Sequence, residues 1–251
     1  LNGFDFDEEI EVWIDSFYNL SESKSKKKIF VQIEPNEILK KNKEIIKNHN
    51  IFDFVLTYEE EILSKVKNAV LFEYGTKWVN VDDYKKTNKN FSISTVCGFK
   101  TITNNHRIRQ KFWMNQEKIL NPKNFFISQY GGVEIFPGNN ILGNEKTPMF
   151  DSMFHVCIEN VSKKYFFTEK LIDCFLCKSI PIYLGCQNIS EYFNIDGILI
   201  ASNFNELIFT CNSVSEKFYN DRLEVIEENY LKALNWIDYR ERLKNKIIDL
   251  I

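Results

Sequence analysis

One stretch of about 30 residues, at positions 153–185, most narrows what this chain can fold into. It begins with the apolar run Met153–Ile158, which predicts a buried strand, and it ends with a second strand-like run, Ile180–Leu184, before Gly185. Between the two runs, apolar residues at helical spacing follow Thr168, a residue type that is typical of helix N-caps. Two strands joined by one helix predict a right-handed parallel crossover.

The polar residues of this stretch gather at one end of the predicted crossover. Glu159 and Asn160 follow the first strand, and Thr168, Glu169 and Lys170 open the helix. In such a unit the end of the strand and the start of the helix face one crevice, where unpaired N–H groups favour an anion. A lysine in the first helical turn opposes the helix dipole unless an anion binds beside it. The pattern therefore predicts a phosphate site, with a nucleotide as the first ligand to suspect.

Composition limits the class of protein. With 251 residues, of which 44% are hydrophobic, the chain can bury the core of one large domain or two small ones. The net charge of −3 and the isoelectric point of about 5.8 argue against a nucleic-acid-binding protein. No apolar stretch approaches the roughly 20 residues that cross a bilayer. No secretory signal is recognisable and the six cysteines form no regular framework, which together predict a cytoplasmic protein with reduced, buried thiols.

Alternating strand and helix patterns predict an α/β fold with two Rossmann-like halves. The first 80 residues alternate in this way, and the polar, aperiodic segment 82–90 is the best candidate for a linker. We therefore expect domains at 1–85 and 90–230. For residues 231–251 we expect a C-terminal helix, for which packing back onto the first domain is one option.

Three further segments are expected to be helical. The apolar residues of 1–19 are compatible with a helix, 106–120 reads as a helix that carries Arg109, and 216–251 reads as one or two amphipathic helices. Arg109 could clamp a pyrophosphate through its guanidinium fork, although a surface helix carries arginines for many reasons.

A carboxylate follows a strand in the first half as well. Residues 28–33 predict a strand, and Glu34 comes directly after it. At the end of a parallel strand this carboxylate could deprotonate a hydroxyl group of a substrate. No nucleophile elbow, zinc-protease motif, P-loop or dinucleotide fingerprint is present in the sequence.

The segment 153–185 resembles the donor-binding block of the α-1,3/1,4-fucosyltransferases, glycosyltransferase family 10. The residues that carry the likeness are Cys157-Ile158-Glu159-Asn160, then Thr168-Glu169-Lys170 with the helix that follows, then the strand 180–184 with Gly185. The match is specific over about 154–204. It is thinner at 29–36, at 52–75 and around Arg109.

The resemblance implies a GT-B fold, with parallel sheets facing a central cleft, and a role for each matching residue. Glu169 would hold the ribose hydroxyls, Lys170 and Arg109 would neutralise the diphosphate, Asn160 with Thr168 would position the donor, and Glu34 would be the general base. The first domain would then receive the acceptor and the second would bind the donor. Family members transfer fucose from GDP-fucose to a glycan hydroxyl with inversion, and need neither a cofactor nor a metal.

Two features of the sequence bear on those implications. Asp5-Phe6-Asp7 has the D-x-D form of metal-dependent glycosyltransferases, but no strand precedes it, so charged residues near a helix start are the favoured interpretation. Phe166 stands where the family carries an aromatic hydroxyl near the donor, with Tyr165 one position earlier. Another nucleotide sugar therefore stays an alternative donor, and a non-catalytic nucleotide- or glycan-binding module stays an alternative function.

Overall fold

The computed structural model describes residues 10–20, 23–80, 87–129 and 140–251. Within these residues the strands form two sheets, and every strand pair in both sheets is parallel. The chain divides into two compact units: Leu1–Tyr74 with Lys164–Phe166 and Arg240–Ile251, and Gly75–Lys163 with Phe167–Tyr239. The predicted linker 82–90 lies partly outside the described residues, and the predicted domain bounds 1–85, 90–230 and 231–251 stay predictions.

The first unit is built on a four-stranded sheet in the order β1-β2-β3-β4. The strands are β1 (Ile10–Ile14), β2 (Lys27–Val31), β3 (Phe54–Thr57) and β4 (Ala69–Leu71). The helices between them are α1 (Asn36–Leu39), α2 (Asn42–Asn48) and α3 (Glu60–Lys65). A core of aromatic and branched side chains joins sheet and helices: Phe30, Ile45, Phe52, Val55, Ile62 and Val66.

The second unit is built on a six-stranded sheet in the order β10-β9-β8-β5-β6-β7. Its strands are β5 (Asn90–Cys97), β6 (Lys123–Ser128), β7 (Asn140–Leu142), β8 (Ser152–Ile158), β9 (Ile180–Leu184) and β10 (Leu199–Ile200). Its helices are α4 (Asn104–Met114), α5 (Glu169–Leu176), α6 (Phe204–Ser213), α7 (Glu216–Asn220) and α8 (Leu223–Ala233). A last helix, α9 (Tyr239–Ile248), follows them in the chain.

Strands β8 and β9 lie inside this sheet and are buried along their whole length. Their side chains alternate between two apolar clusters, as the period of a strand requires. Phe154, Val156 and Ile158 belong to one cluster, whereas Cys157 belongs to the other together with helix α5. The continuous apolar runs that predicted buried strands at 153–158 and 180–184 are thus explained by burial on both faces.

The predicted crossover 153–185 is confirmed in its order, its parallel pairing and its cap. Thr168 is the N-cap of α5, and its hydroxyl accepts a hydrogen bond from the Lys170 amide at 3.3 Å. The unit ends with a glycine for a steric reason: a Cβ at Gly185 would lie only 2.6 Å from the Glu159 Cγ. A side chain at this position would therefore displace the Glu159 carboxylate.

Two expectations for helices were wrong. Residues 10–14 form strand β1 and not a helix, because the β-branched Ile10, Val12 and Ile14 pair in parallel with β2. Residues 216–248 contain three helices, α7, α8 and α9, where one or two were expected. The expected helix 106–120 begins earlier, at Asn104, and ends at Met114.

Two simpler expectations can be checked against the described residues. The six cysteines are free and buried, as predicted. Among the described residues, no helix is both long and apolar enough to cross a bilayer. The compartment stays a prediction.

Candidate donor site at the carboxyl edge of the second sheet

Glu159 is the buried anchor of the site. It directly follows β8, it is fully buried, and its amide continues the β8–β9 ladder through the Leu184 carbonyl at 2.9 Å. Its Oε1 accepts from the Thr168 amide and its Oε2 from the Thr168 hydroxyl, both at 2.8 Å. Burial and the neighbouring Glu169 raise the pKa of Glu159, whereas Lys170 opposes this shift. The carboxylate therefore ties the end of the strand to the start of helix α5.

Glu169 and Lys170 form an ion pair in the first turn of α5. The Lys170 Nζ lies 3.2 Å from the Glu169 Oε1, 3.2 Å from the Thr168 hydroxyl and 3.8 Å from the Glu159 Oε2. Burial alone would raise the pKa of Glu169, but Lys170 and Lys146 outweigh it and the pKa is lowered. The two carboxylates likewise outweigh burial at Lys170 and raise its pKa. Both members of the pair are therefore charged.

A second cation lies at the end of β8. The Arg109 guanidinium, carried by helix α4, donates a hydrogen bond to the Ile158 carbonyl. Burial lowers the pKa of Arg109, while the nearby Glu159 and Glu169 act in the opposite direction. This position places a guanidinium beside the same two carboxylates that hold Lys170. A diphosphate that binds here would meet two cations and the N-terminus of α5.

Asn160 is held against the N-terminus of α4. Its carbonyl accepts from the Thr103 hydroxyl at 2.6 Å, and its side chain hydrogen-bonds His106. Thr103 and His106 also form a reciprocal capping box, in which each side chain bonds the backbone of the other residue. Burial, with Arg109 next, lowers the pKa of His106 to about 4, so the imidazole is neutral at pH 7. Asn160 thus joins the end of β8 to helix α4, which carries Arg109.

A third cation, Lys146, was not indicated by any pattern in the sequence. Its Nζ lies 3.4 Å from the centre of the Trp78 ring, and its charge acts on Glu169 and Asp173. Asp173, one turn after Glu169, uses its Oδ1 to accept from the amides of Trp78 at 2.8 Å and Val79 at 3.1 Å. Burial raises the pKa of Asp173 to about 7. Only a tertiary fold brings positions 78, 146 and 173 together, so no local pattern could have indicated them.

The other two predicted site residues belong to the first unit. Glu34 lies just after β2 and is half-buried, and its amide donates to Asp15 at 3.0 Å. Within the part of the chain that the structure describes, its carboxylate makes no hydrogen bond or ion pair. Phe166 is buried, and its ring centre lies 5.0 Å from that of Tyr58.

The structure therefore brings together five of the predicted site residues in the second unit: Arg109, Asn160, Thr168, Glu169 and Lys170. Their roles, and those of Glu34 and Phe166, stay predictions. No group of three or more metal-ligating side chains occurs among the residues that the structure describes. Asp5 and Asp7 lie outside those residues.

Comparison with known proteins points to one enzyme class. The chain is 23% identical over 137 residues to the α-(1,3)-fucosyltransferase FucT of Helicobacter pylori, which is 51% of this chain and 24% of that protein. It is 24% identical over 195 residues to the mouse 4-galactosyl-N-acetylglucosaminide 3-α-L-fucosyltransferase 9, which is 74% of this chain and 47% of that protein. The chain resembles the α-1,3-fucosyltransferases. It spans from about a quarter to about half the length of these relatives. No protein-family model matches it.

Solved structures show the same fold. The crystal structure of α1,3-fucosyltransferase with GDP-fucose superposes with a TM-score of 0.55 at 18% identity, over 89% of this chain and 73% of that one. TarM gives a TM-score of 0.64 at 18% identity, over 96% and 54%. The pneumococcal O-GlcNAc transferase GtfA, with UDP and GlcNAc, gives 0.59 at 14% identity, over 92% and 54%. The GT-B fold predicted from the sequence is confirmed.

Proposed function

We propose that this chain is an inverting, metal-independent glycosyltransferase that transfers fucose from GDP-fucose to a hydroxyl group of a glycan. One observation carries the proposal: the ion pair of Glu169 and Lys170 opens helix α5 beside Arg109, inside the block that resembles the fucosyltransferases. The names of the relatives, and the GDP-fucose in one structural neighbour, support the donor.

The donor end of the reaction follows from the charges of the second unit. The Glu169 carboxylate is ionised and can accept hydrogen bonds from the two ribose hydroxyls. Lys170 and Arg109, with the N-terminus of α5, stabilise the charge that develops on the departing GDP. Because these groups are present before the reaction starts, they can take the role that a metal ion has in other transferases.

The acceptor end is assigned to Glu34. In a single displacement, the acceptor oxygen attacks the anomeric carbon and the bond to the β-phosphate oxygen breaks, so that the sugar configuration inverts. The hydroxyl proton passes to the Glu34 carboxylate, and GDP leaves with the electron pair of the broken bond. Neither an oxidant nor a second nucleophile is needed.

The second candidate function is transfer from a different nucleotide sugar, and two observations favour it. Phe166 lacks the hydroxyl that the family carries at this position. One structural neighbour with the same fold holds UDP and GlcNAc. On this alternative the chain keeps its ion pair and cations for a diphosphate, but it prefers another base or sugar.

A thermal-shift panel tests the donor directly. GDP, GDP-fucose, UDP and UDP-GlcNAc are added in turn to the wild-type chain and to Lys170→Ala. The matched control is Lys232→Ala, which removes a lysine from an exposed ion pair with Glu228, 2.7 Å long. We expect GDP and GDP-fucose to raise the melting temperature of the wild type and of the control, and Lys170→Ala to bind GDP at least tenfold more weakly.

The outcomes separate the candidate functions. A shift with UDP or UDP-GlcNAc that exceeds the shift with GDP supports the alternative donor. No shift with any of the four nucleotides contradicts the proposal. Binding of GDP-fucose without release of GDP, when a 4-galactosyl-N-acetylglucosaminide is supplied as acceptor, indicates a non-catalytic module for that acceptor class.

A further inference from the structure

Asp15 holds the backbone of the residue assigned as the general base. It follows β1 and continues the pairing with β2 through a hydrogen bond from its amide to the Val31 carbonyl at 3.0 Å. Its Oδ1 accepts from the Ile33 amide at 2.9 Å, and its Oδ2 from the Glu34 amide at 3.0 Å. Both oxygens of one carboxylate thus fix two consecutive amides at the end of β2.

The neighbouring strand fixes the same peptide group from its other side. Tyr58 follows β3, is 1% exposed, and donates its hydroxyl hydrogen to the Ile33 carbonyl at 2.8 Å. The peptide between Ile33 and Glu34 therefore has its C=O bound by Tyr58 and its N–H bound by Asp15. The backbone of Glu34 is immobilised, whereas its carboxylate has no partner within the described part of the chain.

The choice of a carboxylate here is costly for the fold. Burial raises the pKa of Asp15 to about 6, and the nearby charge of Glu34 acts in the same direction. The backbone of Asp15 lies in the left-handed region, with a φ of 52°, where aspartate and asparagine are more common than most other non-glycine residues. An asparagine would avoid the buried charge, but it has only one acceptor oxygen for two amides. The cost is explained if accurate placement of Glu34 matters to the protein.

We infer that Asp15 is a positioning residue, which holds Glu34 where its carboxylate can accept the proton of the acceptor hydroxyl. The inference rests on the proposed function. Asp15 does not touch the substrate, so its removal acts only through the position of Glu34. Misplacement of a reacting group by about 1 Å can lower a rate by about a hundredfold.

The experiment compares three variants with the wild type. Asp15→Ala removes both acceptors, and Asp15→Asn keeps one. Asp53→Asn is the matched control, because the Asp53 Oδ2 accepts from the Lys28 amide at 2.8 Å, at the opposite end of the same strand. The measurements are kcat and the KM for GDP-fucose, with a 4-galactosyl-N-acetylglucosaminide as acceptor, and the melting-temperature shift that GDP causes.

We expect kcat to fall about a hundredfold in Asp15→Ala and to recover in part in Asp15→Asn. The donor KM and the shift with GDP should stay within twofold of the wild type in both variants, and Asp53→Asn should match the wild type. In a Glu34→Gln background, Asp15→Ala should cost little more, because the group that it positions is already gone.

Several results would overturn the inference. One is a kcat for Asp15→Ala no lower than that of Asp53→Asn, and another is a full further loss in the Glu34→Gln background. If Asp15→Ala does not fold, Asp15→Asn decides, and a wild-type kcat there removes Asp15 from the reaction. If the wild-type chain shows no turnover, the proposed function is overturned and this inference with it. If the wild type turns over and the Asp15 variants have the same kcat, only the inference is overturned.

Discussion

The carboxyl edges of the two sheets differ in how their charges are arranged. In the second unit, Glu159 and Glu169 lie among three cations, and Lys170 contacts both carboxylates. In the first unit, Asp15 and Glu34 meet no lysine or arginine within the described residues. Burial raises the pKa of Tyr58 well above its usual value, and four acids act on it in the same direction: Glu59, Asp15, Glu34 and Glu37.

This difference indicates two kinds of chemistry. An edge with paired charges keeps its cations ionised and oriented, which suits the binding of a diphosphate. The Glu34 carboxylate, beside which no cation lies among the described residues, suits the acceptance of a proton. The following variants test whether each arrangement of charges is needed for the step that we assign to it.

Replacing Glu34 by glutamine gives the largest expected effect. The amide cannot accept the proton of the acceptor, so kcat should fall about a thousandfold, within the range for loss of a general base. Binding of GDP should not change, because Arg109, Glu169 and Lys170, the groups that we assign to GDP, are in the second unit. Turnover with GDP-fucose and the thermal shift with GDP measure the two effects separately.

Glu37→Gln provides the control for this variant. Glu37 lies three residues further along, in the short helix α1, and is exposed. A thousandfold loss in Glu34→Gln but not in Glu37→Gln sharpens the difference between the edges. Turnover equal to the wild type in Glu34→Gln would remove Glu34 from the mechanism.

The carboxyl edge of the second sheet could be predicted from the sequence because its information is local. The strand 153–158, the cap at Thr168 and the helix after it are contiguous, and each obeys a periodicity or a capping preference that is visible in a few residues. Glu169 and Lys170 then lie at the start of α5 by chain connectivity alone. Their contacts with Glu159 and Arg109 depend on the tertiary structure, but the strand before Glu159 and the helix that carries Arg109 were both predicted from the sequence.

The carboxyl edge of the first sheet could be predicted only in part, because its information is not local. Glu34 follows a clear strand, but β1 is held by pairing with residues 17 positions away, and its apolar residues also fit a helix. A helix over 10–14 does not place Asp15 at the end of a strand. His106, Lys146 and Asp173 were missed for a related reason, since each acts through a contact that tertiary folding creates.

Substitution of Asp173 gives the next largest expected effect, which is on the free energy of unfolding. Asp173 resembles Asp15 in its hydrogen bonds and in its raised pKa, but we assign it no part in the transfer reaction. Both accept two consecutive amides, and burial raises both pKa values. The pKa of Asp173 is about 7 in the folded protein, whereas its ordinary value is 3.8. Between about pH 4 and about pH 7 the folded state therefore binds a proton that the unfolded state does not. The contribution of Asp173 to stability is therefore greatest at low pH and falls as the pH rises from about 4 to about 7, by up to about 4 kcal/mol.

Asp173→Asn should remove this pH dependence. Neutral aspartate and asparagine have similar shapes, and each keeps one carbonyl oxygen for the amides of Trp78 and Val79. Urea unfolding should then give similar free energies for variant and wild type below about pH 4, and a more stable variant at pH 8. A variant that is equally destabilised at both pH values would show that the carboxylate has a favourable partner when ionised. Transfer should persist, in contrast to Asp15→Ala.

Thr168→Ala gives the smallest effect and probes the paired edge itself. The substitution removes the N-cap of α5 and leaves the Glu159 Oε2 without the hydroxyl that lies 2.8 Å away. We expect the free energy of unfolding in urea to fall by about 2 kcal/mol, and GDP to bind more weakly because the start of α5 is less ordered. Thr168→Ser keeps the hydroxyl, so it should retain most of the stability and the affinity. If serine and alanine behave alike, the hydroxyl does not hold Glu159 to the helix, and the Thr168 amide and Lys170 are sufficient to order the paired arrangement.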